Sequence, residues 1–179
     1  MDVSGSIGKH WDDEKAFVKK LAEAIKISPE GGHAAVTIFS SKNHVHPDAE
    51  LMVKFSDHTA SNSFEDAVDA LPNWGGGTRI NKGLDVARNE MFQESNGMRP
   101  TASKTLVLIT DGKQNVNYAA YARFFHDKNI RVIVIGVGNV RQDDLLKLVK
   151  VDSDLHVAKD FDALLKDSFI KDVTICSGM

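Results

Sequence analysis

Two stretches constrain the fold more than any other part of this chain. Thr105 to Thr110 reads Thr-Leu-Val-Leu-Ile-Thr, and Arg131 to Val137 reads Arg-Val-Ile-Val-Ile-Gly-Val. Runs this apolar and this short, rich in β-branched residues, suit strands that are covered on both faces. His33 to Ser40 has the same character, Glu50 to Phe55 is a more polar strand, and Leu155 to Ala158 is a small edge strand. Amphipathic helical stretches lie between them: Trp11 to Ile27, Ser61 to Leu71, Arg79 to Gln93, Tyr118 to Asp127, Asp143 to Val149 and Phe161 to Ile170. Asp12, Asp13 and Glu14 crowd the first turn of the first helix, where the helix dipole favours negative charge. Strands alternating with helices imply βαβ crossovers. The expected fold is α/β: three layers, doubly wound, a mainly parallel central sheet with helices on both faces. With 179 residues and no internal repeat, the expectation is one domain spanning 1–179.

Several function classes fall away on composition. The net charge is -3, with no basic run, so no nucleic-acid footprint is present. No apolar run approaches the ~20 residues that cross a bilayer, which argues against direct membrane insertion. No Asn-x-Ser/Thr sequon occurs, and the lone cysteine is Cys176.

In a doubly wound sheet, ligands bind beyond the carboxyl ends of the strands. Three polar loops are expected there. The first is Asp2-Val3-Ser4-Gly5-Ser6, whose period of two puts one carboxylate and two hydroxyls on one face of an extended segment. The second is Trp74-Gly75-Gly76-Gly77-Thr78, and the third is Asp111-Gly112 after the strongest strand. Each also has a plainer explanation. The first can be a solvated loop or a helix N-cap, Thr78 an N-cap, and Asp111 ordinary turn chemistry. Together they supply two carboxylates and three hydroxyls, the oxygen donors that hard cations take.

Asp-x-Ser-x-Ser, a glycine-rich loop ending in Thr, and a hydrophobic strand ending in Thr-Asp-Gly resemble, in order and spacing, the metal-ion-dependent adhesion site of the von Willebrand factor A domain family. The resemblance covers essentially the whole chain. It implies Ser4, Ser6 and Thr78 as hydroxyl ligands, and Asp2 and Asp111 as ligands directly or through water. It implies Mg²⁺ as the ion, with Mn²⁺ or Ca²⁺ as substitutes. The implied function is divalent-cation-dependent adhesion, in which a Glu or Asp of a partner, such as collagen or another matrix protein, completes the coordination.

Some features depart from that family. Its Asp-x-Ser-x-Ser follows a central strand, whereas only Met1 precedes Asp2 here, so the expectation is a truncated first strand and a longer natural protein. Extracellular members often pair a cysteine before the first strand with one after the last helix, which would leave Cys176 without its partner and implies a secreted or cell-surface origin. Val137 to Gln142 leaves no room for the extra helix of collagen-binding integrin domains, and Lys171 to Met179 carries no Glu to act as an internal ligand. The chain thus resembles matrix or adhesion-type members, and its last helix, Phe161 to Ile170, is expected to shift when ligand binds. An intracellular member acting in complex assembly is the rival reading. An enzyme is disfavoured: a haloacid-dehalogenase-type phosphatase needs a second acid at the position of Ser4, and no Gly-x-x-x-x-Gly-Lys-Ser/Thr loop exists. Three smaller readings remain. His44 and His46 can be metal ligands or solvated turn residues, Trp74 a rim contact or a packing residue, and Tyr121, Phe124 and Phe125 are expected in the core.

Overall fold

The computed structural model describes residues 1–177, with side chains through Val173. Strands β1 (Val36–Phe39) and β2 (Ala49–Val53) pair antiparallel, while β3 (Lys104–Thr110), β4 (Ile130–Val137) and β5 (Leu155–Ala158) form a parallel sheet in that order. Residues Met1 to Val3 lie between the two. Phe39 N–H donates to Met1 C=O at 3.1 Å, Val3 N–H to Phe39 C=O at 2.9 Å, and Asp2 N–H to Ile109 C=O at 3.2 Å. Asp2 and Phe39 pair in the parallel sense.

Alternation along the strands divides the core into two halves. Ile109, Ile133, Ile135 and Val137 face one side, where they meet Phe17 and Leu21 of α1 (Trp11–Ile25) and Phe64 and Val68 of α2 (Ser61–Asp69). Leu164 of α6 (Phe161–Leu164) and Val173 of α7 (Asp167–Ser177) join the same side. Leu106, Leu108, Val132 and Val134 face the other way, against α3 (Ile80–Val86), α4 (Tyr118–Asp127) and α5 (Gln142–Leu145). The two faces of an apolar strand with period-two geometry are both buried, which is why these runs lack polar alternation. Helix α3 approaches β1 closely, because a side chain on Gly83 would collide with the ring of Phe39.

The expected α/β, doubly wound, three-layer architecture is thus present. The boundaries shift in informative ways. The strand expected over His33 to Ser40 is assigned only at Val36–Phe39, where Met1 to Val3 and β2 supply partners. Helix 79–93 is α3 followed by a wide π turn at Ala87–Met91. The single last helix expected from Phe161 to Ile170 is two, α6 and α7, so any movement of that region involves a joint near Leu165 and Lys166. Asp160 caps α6 by accepting from Ala163 N–H at 2.8 Å. Between β4 and α5 there is no additional helix. The expectation about Cys176 lies outside the residues whose side chains are described. Among the described residues, no helix is long and apolar enough to cross a membrane.

Candidate metal site

Three loops meet at the carboxyl ends of β3 and of the Met1–Val3 segment. The first leaves the sheet at Asp2 and turns through Ser4 to Ile7, where Ile7 N–H donates to Ser4 C=O at 3.1 Å. Ile7 is fully buried and fixes the loop against the core, and a short 3₁₀ turn, Gly8–His10, then leads into α1. The second loop is clasped from both sides. Gly5 N–H donates to Gly76 C=O at 2.7 Å, and Ser41 N–H to Gly77 C=O at 2.6 Å. Gly77 N–H in turn donates to Ser41 Oγ at 2.7 Å. Gly76 has φ +82°, a left-handed conformation that favours glycine, and a Cβ there would lie 2.6 Å from Ser41 Oγ. The third loop begins where β3 ends at Thr110. A Cβ on Gly112 would lie 2.5 Å from Thr78 Oγ1, so a bare glycine lets the second and third loops touch.

These clasps bring the oxygens of the predicted residues together. Ser6 Oγ donates to Asp111 Oδ1 at 2.8 Å, and Ser4 Oγ lies 3.1 Å from Ser6 Oγ. Thr78 Oγ1 donates to Ser4 Oγ at 3.4 Å. Asp2 sits beneath this cluster, fully buried. Its Oδ2 accepts from Thr110 Oγ1 at 2.6 Å and its Oδ1 from Ser4 N–H at 3.0 Å. Ser6 is exposed and Asp111 and Thr78 are half-buried, so the cluster opens to solvent on one side only. All five predicted residues are therefore neighbours, drawn from three loops, and the Ser6–Asp111 bond alone joins positions 105 apart.

The electrostatics are one-sided. Among the described residues, every ion pair leaves Asp2 and Asp111 out. Burial pushes the Asp2 carboxyl up, opposed by its hydrogen bonds from Thr110 and Ser4, while Asp111 adds like-charge repulsion. Glu14 of α1 is also fully buried, and neither of its carboxyl oxygens has a hydrogen-bond partner. Burial raises it well above the ordinary carboxylate range; the Met1 ammonium opposes this, and Asp2 and Asp111 reinforce it. An all-oxygen cluster with two acids that stand outside the ion pairs fits a hard divalent cation, whose charge would offset the cost of holding Asp2 away from water.

Glu14 carries a prediction of its own. Its folded-state proton affinity exceeds that of the unfolded chain, so above the unfolded value the native state holds more protons, and stability falls as pH rises. Glu14→Gln removes that titration. The gap in Tm between Glu14→Gln and wild type, measured in EDTA, is expected to widen in favour of the variant from pH 5 to pH 8. A constant gap would show that Glu14 is solvated as an ordinary carboxylate.

Two participants were not singled out from sequence: Thr110, whose hydroxyl holds Asp2, and Ser41, which clasps the glycine loop. Thr110 was readable as the residue before Asp111, but its partner 108 positions away was not. His46 is half-buried in the turn between β1 and β2. It stacks on Trp74 with ring centroids 4.2 Å apart and 8° between planes, and its Nδ1 lies 2.8 Å from Pro47 C=O. Among the described residues, no three His, Cys, Asp or Glu side chains gather as a metal-binding group. Trp74 is half-buried and packs on the α1 side of the core, and not against the helix after Thr78 as the packing reading expected. Phe125 is fully buried and Tyr121 donates to Asp85 at 2.8 Å.

Comparison with known proteins agrees with this architecture. The chain is 25% identical over 182 aligned positions to the collagen alpha-1(XII) chain of Notophthalmus viridescens, covering all of this chain and 19% of that one. It is 29% identical over 167 positions to the collagen alpha-1(XX) chain of Mus musculus, covering 92% of this chain and 12% of the other. The chain therefore spans less than a fifth of the length of these curated relatives. Among solved structures, proximal thread matrix protein 1 from the mussel byssus superposes with a TM-score of 0.86 at 22% identity, covering 97% of this chain and 45% of that one. One structure of that mussel protein has zinc in its MIDAS motif. The manganese-loaded TRAP protein of Plasmodium vivax superposes with a TM-score of 0.69 at 19% identity, covering 95% of this chain and 70% of that one. The model of the von Willebrand factor type A domain matches residues 1–169, nearly the whole chain, and the chain belongs to that family.

Proposed function

We propose that this chain is a single divalent-cation-dependent protein-binding module of the extracellular matrix type, and not an enzyme. Asp2, Ser4, Ser6, Thr78 and Asp111 are the residues that would hold the ion, with Mg²⁺ as the physiological cation and Mn²⁺ or Ca²⁺ as substitutes. The bound ion supplies an electrophilic position that a Glu or Asp side chain of a partner completes. The observation that carries this reading is the contact chain Thr78–Ser4–Ser6–Asp111, closed within 2.8–3.4 Å and open to solvent on one side. Asp2 is held from below by Thr110 and by Ser4 N–H, so its charge attracts the ion without itself reaching the partner. With neutral hydroxyls as three of the five donors, the ion keeps electrophilic character toward a partner's acid. The exposed residue Ser6 and the loop around Trp74 flank the opening and would meet the partner's surface.

The collagen relatives and the mussel byssal neighbour support an extracellular setting and a matrix protein, such as a collagen, as the partner. The test is solid-phase binding to a panel of matrix proteins in Mg²⁺ and in EDTA. Binding that needs the cation, and that falls at least about tenfold (~1.4 kcal/mol) with Ser6→Ala, is the expected result. Binding that is equal in Mg²⁺ and EDTA would refute the mechanism.

A further inference from the structure

Among the described residues, two large apolar side chains stand out from the surface, Val45 at 90% exposure and Val151 at 49%. Val45 lies at the tip of the hairpin that joins β1 to β2, and nothing local asks for valine there. Turns favour Gly, Pro, Asn, Asp and Ser, and a β-branched side chain gains little in one without packing. The backbone at Val45 is outside the left-handed region, and its side chain meets water. The tip is nevertheless firmly built. Asn43 Oδ1 accepts from Val45 N–H at 2.7 Å and from His46 N–H at 3.2 Å, and Asn43 N–H donates to His46 C=O at 3.2 Å. At the base, Ser40 N–H donates to Asp48 C=O and Lys42 N–H to Asp48 Oδ1, both at 2.9 Å. The hairpin is also tied to the glycine loop. Ser41 clasps Gly77, and Asp48 pairs with Arg79 at 3.6 Å, so the residues on either side of Thr78 are both gripped. The His46 ring, stacked on Trp74, adds a third tie.

We propose that Val45 is a specificity-determining contact beside the ion site, fitted to an apolar side chain that the partner carries close to the acid it gives to the ion. The inference rests on the metal reading above and adds the second feature by which a partner is chosen. Continuity supports it, because the hairpin that carries Val45 is bonded to the loop that carries Thr78. Rigidity supports it as well. A tip already ordered by Asn43 and by the His46–Trp74 stack loses little conformational freedom when a partner lands on it. A residue that breaks the local rule for turns, with no packing to compensate, is what a contact site leaves in a sequence. The reach follows from chain geometry. Val45 is four residues from Ser41, at most about 14 Å, and Ser41 touches the neighbour of Thr78. An extended partner strand with its acid on the ion therefore meets Val45 within about five residues of that acid. A second copy of this chain is the poorer occupant. One valine falls far short of the ~1,200 Å² that a specific interface buries, whereas a partner held by the ion needs only a supplementary contact.

The experiment uses synthetic peptides with a central Glu in a Ser/Gly background. A single Leu is placed in turn at each position on either side of the Glu, out to about six residues. Surface plasmon resonance measures their binding to the wild-type chain and to Val45→Ser, in Mg²⁺ and in EDTA. Leu at one or two neighbouring positions is expected to tighten Mg²⁺-dependent binding to wild type at least about fivefold. Val45→Ser is expected to lose that gain while binding the peptide without Leu as wild type does. Its rise in Tm with Mg²⁺ should equal that of wild type, since Val45 is no ion ligand. Mg²⁺-dependent binding with no preference for Leu, or the same preference in Val45→Ser, overturns the role of Val45 and leaves the metal reading standing. No Mg²⁺-dependent binding of any peptide refutes the capture of an acid by the ion, and the role of Val45 falls with it. Sedimentation gives a further arm. Self-association of wild type that Val45→Ser abolishes would make the tip a contact between copies, and that result also overturns the proposal.

Discussion

Millimolar Mg²⁺ is expected to raise the unfolding temperature of this chain by about 5–11 °C over its value in EDTA, and Asp111→Ala to abolish the rise. A ligand that binds only the native state at 100 times its Kd adds about 2.7 kcal/mol, which for a chain of this size corresponds to that interval. Asp111 is the informative position. Its side chain is half-buried and its Oδ1 accepts from the exposed Ser6, so its removal leaves both halves of the core intact. In EDTA the variant should therefore unfold close to wild type, with a change on the order of 1 kcal/mol or less. Differential scanning calorimetry of the two proteins, each with and without Mg²⁺, separates the contributions. A wild-type transition indifferent to Mg²⁺ would keep the fold and remove the site. A variant that still responds would place the ion elsewhere.

Phe39→Ala is expected to cost about 3–5 kcal/mol, the usual range for deleting a buried aromatic ring, or roughly 6–20 °C in Tm. The ring is 1% exposed and rests on Gly83 of α3, a position with no side chain to move into the void. The hydrogen bonds that Phe39 makes with Met1 and Val3 come from its backbone and survive the substitution. The variant should thus lose stability in EDTA while keeping most of the Mg²⁺ increment. Circular dichroism melts in both conditions test this. A loss of less than about 1 kcal/mol would mean that α3 collapses onto β1, and loss of the Mg²⁺ increment would mean that the site depends on the packing beneath it.

The fold was legible where one physical signal dominated. The unbroken apolar runs of β3 and β4 announced burial on both faces, and the Thr-Asp-Gly at the end of β3 announced a polar loop at the sheet's carboxyl edge. The convergence of Asp2, Ser4, Ser6, Thr78 and Asp111 was legible because topology alone brings those loops to one end. Glu14 was legible in principle and misread. It lies three residues after Trp11 and three before Phe17, on the buried stripe of α1, yet as the third acid of a first turn it reads as dipole chemistry. The break between α6 and α7 leaves no Pro or Gly in the sequence, and Phe161, Leu164, Leu165, Phe169 and Ile170 continue a helical stripe through it. The shortening of β1 was not legible, because strand length depends on partners that lie elsewhere in the chain.

Met1 to Val3 join β1 to β3, and Asp2 sits in the middle of that three-residue span. Traction on the amino end along the strand axis would load the bonds to Thr37 and Phe39 side by side, in shear. Force entering there passes through Met1, which packs in the α1 half of the core, and reaches Asp2 next. In a molecule pulled from that end, the proposed ion site and the anchorage of the domain would share Asp2, so loosening that span would disturb both.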